Sequence, residues 1–141
     1  MLADVTTGRI EPLPNQPANS GVPAWSRDHT QLAFRSKSSG SWQVYTIRAN
    51  GNDLRQVTQV GNNAEANWSP DGTQLVYVSD RDGNKELYIA DAAGRQHRRL
   101  TNNAVLDDDP NWSPDGQWIV FERKEGDCFN IYIIKPDGSG E

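Results

Sequence analysis

The string Asn-Trp-Ser-Pro-Asp-Gly occurs at Asn67 to Gly72 and again, unchanged, at Asn111 to Gly116. It is one beat of a longer repeat. Alignment on tryptophan brings together AWSRDHTQLAF from Ala24, NWSPDGTQLVY from Asn67 and NWSPDGQWIVF from Asn111, with Trp25, Trp68 and Trp112 spaced 43 and 44 residues apart. A second match follows in each copy: WQVYTIRANG from Trp42, KELYIADAAG from Lys85 and FNIYIIKPDG from Phe129. A third closes two of them, RQVT at Arg55 to Thr58 and RRLT at Arg98 to Thr101. A unit of this length cannot bury its apolar surface alone, so the copies must stack on one another.

Each copy reads as four short strands divided by turn signals. In the middle copy the expected strands lie near Glu65 to Trp68, Gln74 to Ser79, Glu86 to Asp91 and Gln96 to Leu100. Ser-Pro-Asp-Gly joins the first two: proline presets φ, serine bonds the backbone, and glycine relieves crowding at the fourth position. The structural set of the repeat is therefore Trp25, Trp68, Pro70, Asp71, Gly72, Trp112, Pro114, Asp115 and Gly116. The first copy has Ser26-Arg27-Asp28-His29, with neither the proline nor the glycine, and a looser turn is expected there. Alternation in TQLVYVS puts Leu75 and Tyr77 on one face and Val76 and Val78 on the other, so the strand should be sandwiched between neighbouring sheets.

Composition agrees with a turn-rich all-β chain: 35% hydrophobic residues, 23% charged, 12 Gly and 8 Pro. No apolar run approaches the ~18 to 20 residues of a membrane span, and the first ten residues lack the pattern of a secretory signal. A net charge of −5 disfavours nucleic acid as a partner and favours a cation or a basic peptide. Cys128 is the single cysteine, so no disulfide forms within one chain.

Four-stranded repeats of this length are the signature of β-propeller blades. The strings NWSPDGTQLVY, KELYIADAAG and RRLT together resemble the TolB-like propeller repeat, and the resemblance runs over essentially the whole chain. It implies residues 15–58 as blade 1, 59–101 as blade 2 and 102–141 as blade 3 without an outer strand, with 1–14 as a blade-closing segment. In that segment Leu2-Ala3-Asp4 aligns with Ile89-Ala90-Asp91, and Leu13 with Leu100. Residues Arg9 to Leu13 are thus a spare outer strand. Propellers close with about four to eight blades, so three blades point to a homodimer forming a six-bladed ring. Ile10 and Leu13 of one chain would then join Ile131 and Ile133 of the other by strand exchange. The alternative is a piece of a longer propeller, which the remnant at Leu2 to Val5 favours. TolB-type propellers serve in bacterial envelope complexes and contact a lipoprotein, so the resemblance implies a non-enzymatic protein-binding scaffold with no cofactor, periplasmic if it extends that far. Similar repeats also form the gating propeller of prolyl-oligopeptidase-like serine peptidases, and an evolutionary or engineered half-propeller without a ligand is a third reading.

Candidate chemistry is sparse. The chain has no GxSxG elbow and no HExxH, and its two histidines, His29 and His97, fall in turn or edge positions. The three repeat tryptophans could cage a ligand, but their spacing fits packing between blades. Asn67-Trp68-Ser69 matches a glycan acceptor yet lies in the innermost strand. Asp80, Asp82, Asn84 and Glu86 hint at a calcium loop, but Lys85 occupies the sixth position where glycine is needed, and a turn fits better. The basic run Arg95 to Arg99 reads as an exposed edge that discourages strand addition. One set remains as a candidate partner site near the channel mouth: Glu65, Asn67, Asp108, Asp109 and Asn111, in which Asp109 aligns with Glu65 and Asn111 with Asn67 on the inner strands. Asp107 belongs to the same acidic run, whose competing reading is a solvated turn.

Overall fold

The structure, a computed structural model, describes residues 2–3 and 6–140. Asp4 and Val5 of the expected N-terminal remnant lie outside the described residues. Among those described there is no helix, and every element is a strand. Three antiparallel sheets follow the three repeats. The first holds β3 (Ser20–Trp25), β4 (Gln31–Ser36), β5 (Gln43–Arg48) and β6 (Arg55–Gln56). The second holds β7 (Asn63–Trp68), β8 (Gln74–Ser79), β9 (Glu86–Asp91) and β10 (His97–Arg99). The third has three strands, β11 (Asp107–Trp112), β12 (Ile119–Glu125) and β13 (Cys128–Ile134). A short ladder joins β1 (Leu2–Ala3) to β2 (Ile10–Glu11).

The second and third strands of the middle repeat match their expected bounds, while the first starts two residues early and the fourth is shorter. The early start has a cause. Asn63 and Ala64 pair with Ser79 and Val78, the register then shifts, and Asn67 and Trp68 resume pairing with Val76 and Leu75. The same bulge interrupts β3 between Gly21 and Ala24 and β11 between Asp108 and Asn111. At each bulge one side chain sits in the left-handed region: Val22 at φ 51°, Glu65 at 50° and Asp109 at 49°.

Alternation along the strands sends side chains into two different joints. Leu75, Tyr77, Tyr88 and Ala90 pack with Ala33, Val44 and Val57 of the first sheet. Val76, Val78, Leu87, Ile89 and Leu100 pack with Ile119, Phe121 and Ile134 of the third. The middle sheet is therefore covered on both sides, as its sequence pattern requires. Leu13 is buried on the outer face of the first sheet against Leu32, Phe34, Tyr45 and Ile47. It takes there the place that Leu100 takes on the third sheet.

The Ser-x-Asp turn is the same in all three copies. Ser69 Oγ donates to Asp71 at 2.6 Å and accepts from Gln74 N at 2.9 Å, and Asp71 accepts from Thr73 N at 3.0 Å. Ser113 and Asp115 repeat the pattern at 2.6, 2.9 and 3.0 Å. The looser turn expected in the first copy is not found: Ser26 and Asp28 make the same bonds at 2.6, 3.0 and 3.1 Å. The serine and aspartate carry the geometry, and His29 adopts φ 58° where the other copies have glycine. These bonds, led by the serine hydroxyl, hold the Asp28, Asp71 and Asp115 carboxyls below the usual range.

Polar latches tie each outer strand to its neighbours. Thr58 Oγ1 donates to Gln43 Oε1 at 2.7 Å and accepts from Val44 N at 2.8 Å. In the next repeat Thr101 does the same with buried Glu86 at 2.5 Å and Leu87 N at 3.0 Å.

Candidate functional site

The first strand of the second sheet, β7, adjoins both β3 and β11, the first and thus innermost strands of the other two repeats. This brings the expected acidic set together. Glu65 sits on the β7 bulge, where its Oε1 receives Arg35 Nη1 at 3.2 Å. Asp108 Oδ2 receives Lys85 Nζ at 2.5 Å, while its Oδ1 is buried with no partner among the described residues. Asp109 is exposed on the β11 bulge. Burial pushes the Glu65 carboxyl above its ordinary value; Arg35 opposes this, and Asp109 and Asp108 add to it. The inner surface is thus acidic, and its cations come from the preceding repeat.

Those cations carry no signal in the local sequence. Arg35 lies on β4 and Lys85 just before β9, 30 and 23 residues from the acids they meet. Only the repeat phase, which stacks one copy on the next, could have found them. Arg35 is further fixed by Trp42, whose ring centre lies 4.7 Å from the guanidinium.

The two asparagines of the expected set separate. Asn67 Nδ2 donates to Pro110 O at 2.9 Å, which joins β7 to β11. Asn111 is exposed. At the turn end of the same strands, Trp68 packs into the joint with the first sheet and Trp112 against the joint between the second and third. Trp25 has no such cover and is 47% exposed. All three nonetheless border one hollow of about 300 Å³ with Arg27, Ser69, Pro70, Ser113 and Pro114. Arg27 Nη1 bridges it by donating to Pro114 O at 2.9 Å.

The four residues that suggested a calcium loop are engaged with protein groups: Asn84 Nδ2 donates to Glu86 Oε1 at 3.0 Å, and Arg99 pairs with Asp82 at 3.3 Å and with Glu86 at 3.1 Å. Asp80 accepts from Asn62 N at 2.6 Å, Asp82 from the Tyr88 hydroxyl, and Glu86 from Thr101 and Asn103 N. Asn84 donates to Val105 O at 2.6 Å. Among the described residues, no group of three His, Cys, Asp or Glu could hold a metal ion, and no helix is long and apolar enough to cross a membrane.

The residues expected to close a ring divide by position. Leu13 is buried on the first sheet, whereas Ile10, Ile131 and Ile133 are exposed at 61%, 68% and 50%.

Comparison with known proteins places this architecture. The family model described as TolB beta propeller domain matches residues 1–141. The putative TolB of Agrobacterium tumefaciens superposes with a TM-score of 0.82 at 22% identity, over 89% of this chain and 48% of that one. TolB of Acinetobacter baumannii gives 0.81 at 22% identity, over 96% of this chain and 34% of that one. A puromycin hydrolase is also similar, with a TM-score of 0.68 at 19% identity over 85% of this chain and 21% of its own. The chain therefore spans less than half the length of each of these proteins.

Proposed function

Since the chain belongs to the TolB beta propeller domain family, we propose that it works as a non-enzymatic propeller scaffold that binds a protein or peptide partner at its inner acidic surface. The observation that carries this reading is the fixed placement of Glu65, Asp108 and Asp109 on adjoining inner strands. Bulges hold Glu65 and Asp109 in left-handed backbone, a conformation that side chains adopt at a cost and that recurs at sites of recognition. Burial raises the Glu65 carboxyl first, and Asp109 and Asp108 add to the rise against Arg35, so the site disfavours negative charge at Glu65. An arriving ammonium or guanidinium would offset this, so the partner class is a segment rich in lysine or arginine.

The test is fluorescence anisotropy with a labelled oligoarginine peptide and an oligoglutamate control. Salt-sensitive binding of the basic peptide, weakened about tenfold or more by Asp109→Asn with Glu65→Gln, supports the reading. Equal binding by the double variant would refute it.

A second reading follows from the puromycin hydrolase likeness: the chain serves as part of the propeller that accompanies a hydrolase domain. Its mark would be a hydrolase sequence encoded in the same gene.

A further inference from the structure

The third sheet presents an apolar face that nothing covers among the described residues. Val120, Ile131 and Ile133 are exposed on it at 37%, 68% and 50%, with Phe129 beside them at 51%. Their counterparts by repeat position are Val76, Leu87 and Ile89, all buried in the joint with the next sheet. Ile119, Phe121 and Ile134 bury that joint from the other side, and their counterparts on the first sheet are Leu32, Phe34 and Ile47, already buried at 6%, 3% and 0% with Leu13 packed on them as Leu100 packs on the third sheet. The chain thus carries, on its first and third sheets, the two halves of a joint that it already makes twice.

Paired changes in the repeat identify what fits. The interior joints are matched by charge, Arg35 with Glu65 and Lys85 with Asp108. On the two outer faces both members of each pair change together. Glu122 stands in the position of Arg35, and the residue in the position of Glu65 is Val22, so no acid meets the Glu122 carboxylate. Phe129 stands in the position of Lys85, and Gly21 in that of Asp108. Val22 is the more telling because a β-branched residue at φ 51° is unfavourable in itself, whereas both of its counterparts are acids. The threonine latch is altered on both sides too: Pro14 replaces Thr58 and Thr101, and Asn130 replaces Gln43 and Glu86. Asn130 donates instead to Glu125 Oε2 at 2.6 Å.

We propose that the third sheet of one copy docks on the first sheet of a second copy, and that β13 takes that copy's β2 as its fourth strand. The register is set by the chain itself. Ala3↔Ile10 and Leu2↔Glu11 repeat the pairing of Ala90↔His97 and Ile89↔Arg98, which puts Ile134 opposite Ile10 and Ile133 opposite Glu11. Among the described residues β1 holds β2 by these two pairs, and it gives way to the seven-residue β13. Two such joints related by a two-fold axis close the arc, and the occupant of the open face is a second copy of this chain.

Light scattering on a sizing column tests this on the purified chain. The expected mass is near twice 15.7 kDa. Val22→Glu sets an acid against Glu122 and should weaken self-association at least tenfold. It should fold, because Glu65 occupies the equivalent position at the same φ. Val22→Glu with Glu122→Arg recreates the Arg35 to Glu65 pairing across the joint and should restore the dimer. Ile133→Lys, at an exposed position, should give a monomer with an unchanged far-UV spectrum. A monomeric parent chain at every concentration overturns the proposal. A dimer indifferent to both Val22→Glu and Ile133→Lys overturns it as well, since the copies would then meet elsewhere.

Discussion

Arg35 of the first sheet reaches across the joint to Glu65 of the second, with Nη1 3.2 Å from Oε1, yet the carboxyl it meets stays above its ordinary value. Burial, with smaller contributions from Asp109 and Asp108, outweighs the guanidinium. A raised folded-state value means that the stability this group supports is present at low pH and is lost as pH rises from the unfolded value through the folded one. Glu65→Gln removes that loss. The variant should gain up to about 1 kcal/mol over the parent at pH 7 and little or nothing at pH 4, as read by urea unfolding at the two values. A variant less stable than the parent at pH 7 would show that the Arg35 contact dominates instead.

The turn aspartates behave in the opposite sense. Serine hydroxyls and backbone amides hold Asp28, Asp71 and Asp115 low, so the stability they support is present above the ordinary value of 3.8 and is lost as pH falls through the folded value. Asp71→Ala removes the bonds to Ser69 and Thr73 and should cost about 1 kcal/mol at pH 7. Its unfolding midpoint should also depend less on pH between neutrality and strong acid. His29→Gly should stabilise by up to about 1 kcal/mol, because the native φ of 58° is free to glycine. Thermal melts of the two variants check both directions.

Much of this was legible in the chain alone. The assignment of Leu75 and Tyr77 to one joint and of Val76 and Val78 to the other needed only period-two alternation, because a strand apolar on both faces has one physical use. Bulges were not legible. Left-handed backbone is usually announced by glycine, but here Val22, Glu65 and Asp109 adopt it under the constraint of sheet pairing. The first turn keeps its geometry without proline or glycine because Ser26 and Asp28 make the bonds that set it. Cross-repeat partners such as Arg35 and Lys85 depend on how copies stack. Local sequence does not encode that.

Tyr77 tests a buried hydroxyl that the other repeats lack, since Phe34 and Phe121 occupy its position. Its oxygen accepts from Arg81 Nη2 at 2.8 Å and shares a 2.9 Å bond with His97 Nδ1. Burial pushes the phenol up to about 12, against an ordinary 10.0. The folded state therefore resists its ionisation, and stability should fall between about pH 10 and pH 12. Tyr77→Phe should cost about 1 kcal/mol at pH 7 and should flatten that alkaline decline. Stability that falls equally steeply in the variant would assign the decline to other groups.

The ion pair between Asp107 and Arg123 offers the largest expected effect. Asp107 is fully buried, and its two oxygens receive Arg123 Nε and Nη2 at 2.7 and 2.9 Å, with Asn103 Nδ2 adding a bond at 2.8 Å. The carboxylate bonds are the first cause raising the guanidinium's value. Asp107→Asn keeps the volume but removes the charge that receives Nε and Nη2 of Arg123, which is 9% exposed. Removing one partner of a buried pair costs about 3 kcal/mol, while replacing both by apolar residues is often close to neutral. Urea unfolding should therefore show a large loss for Asp107→Asn and most of it regained in Asp107→Leu with Arg123→Met. If the single variant lost less than about 0.5 kcal/mol, the pair would be better solvated than its burial indicates. If the double variant remained as unstable as the single one, the loss would belong to Asn103 and the strand start it holds rather than to the lost charge.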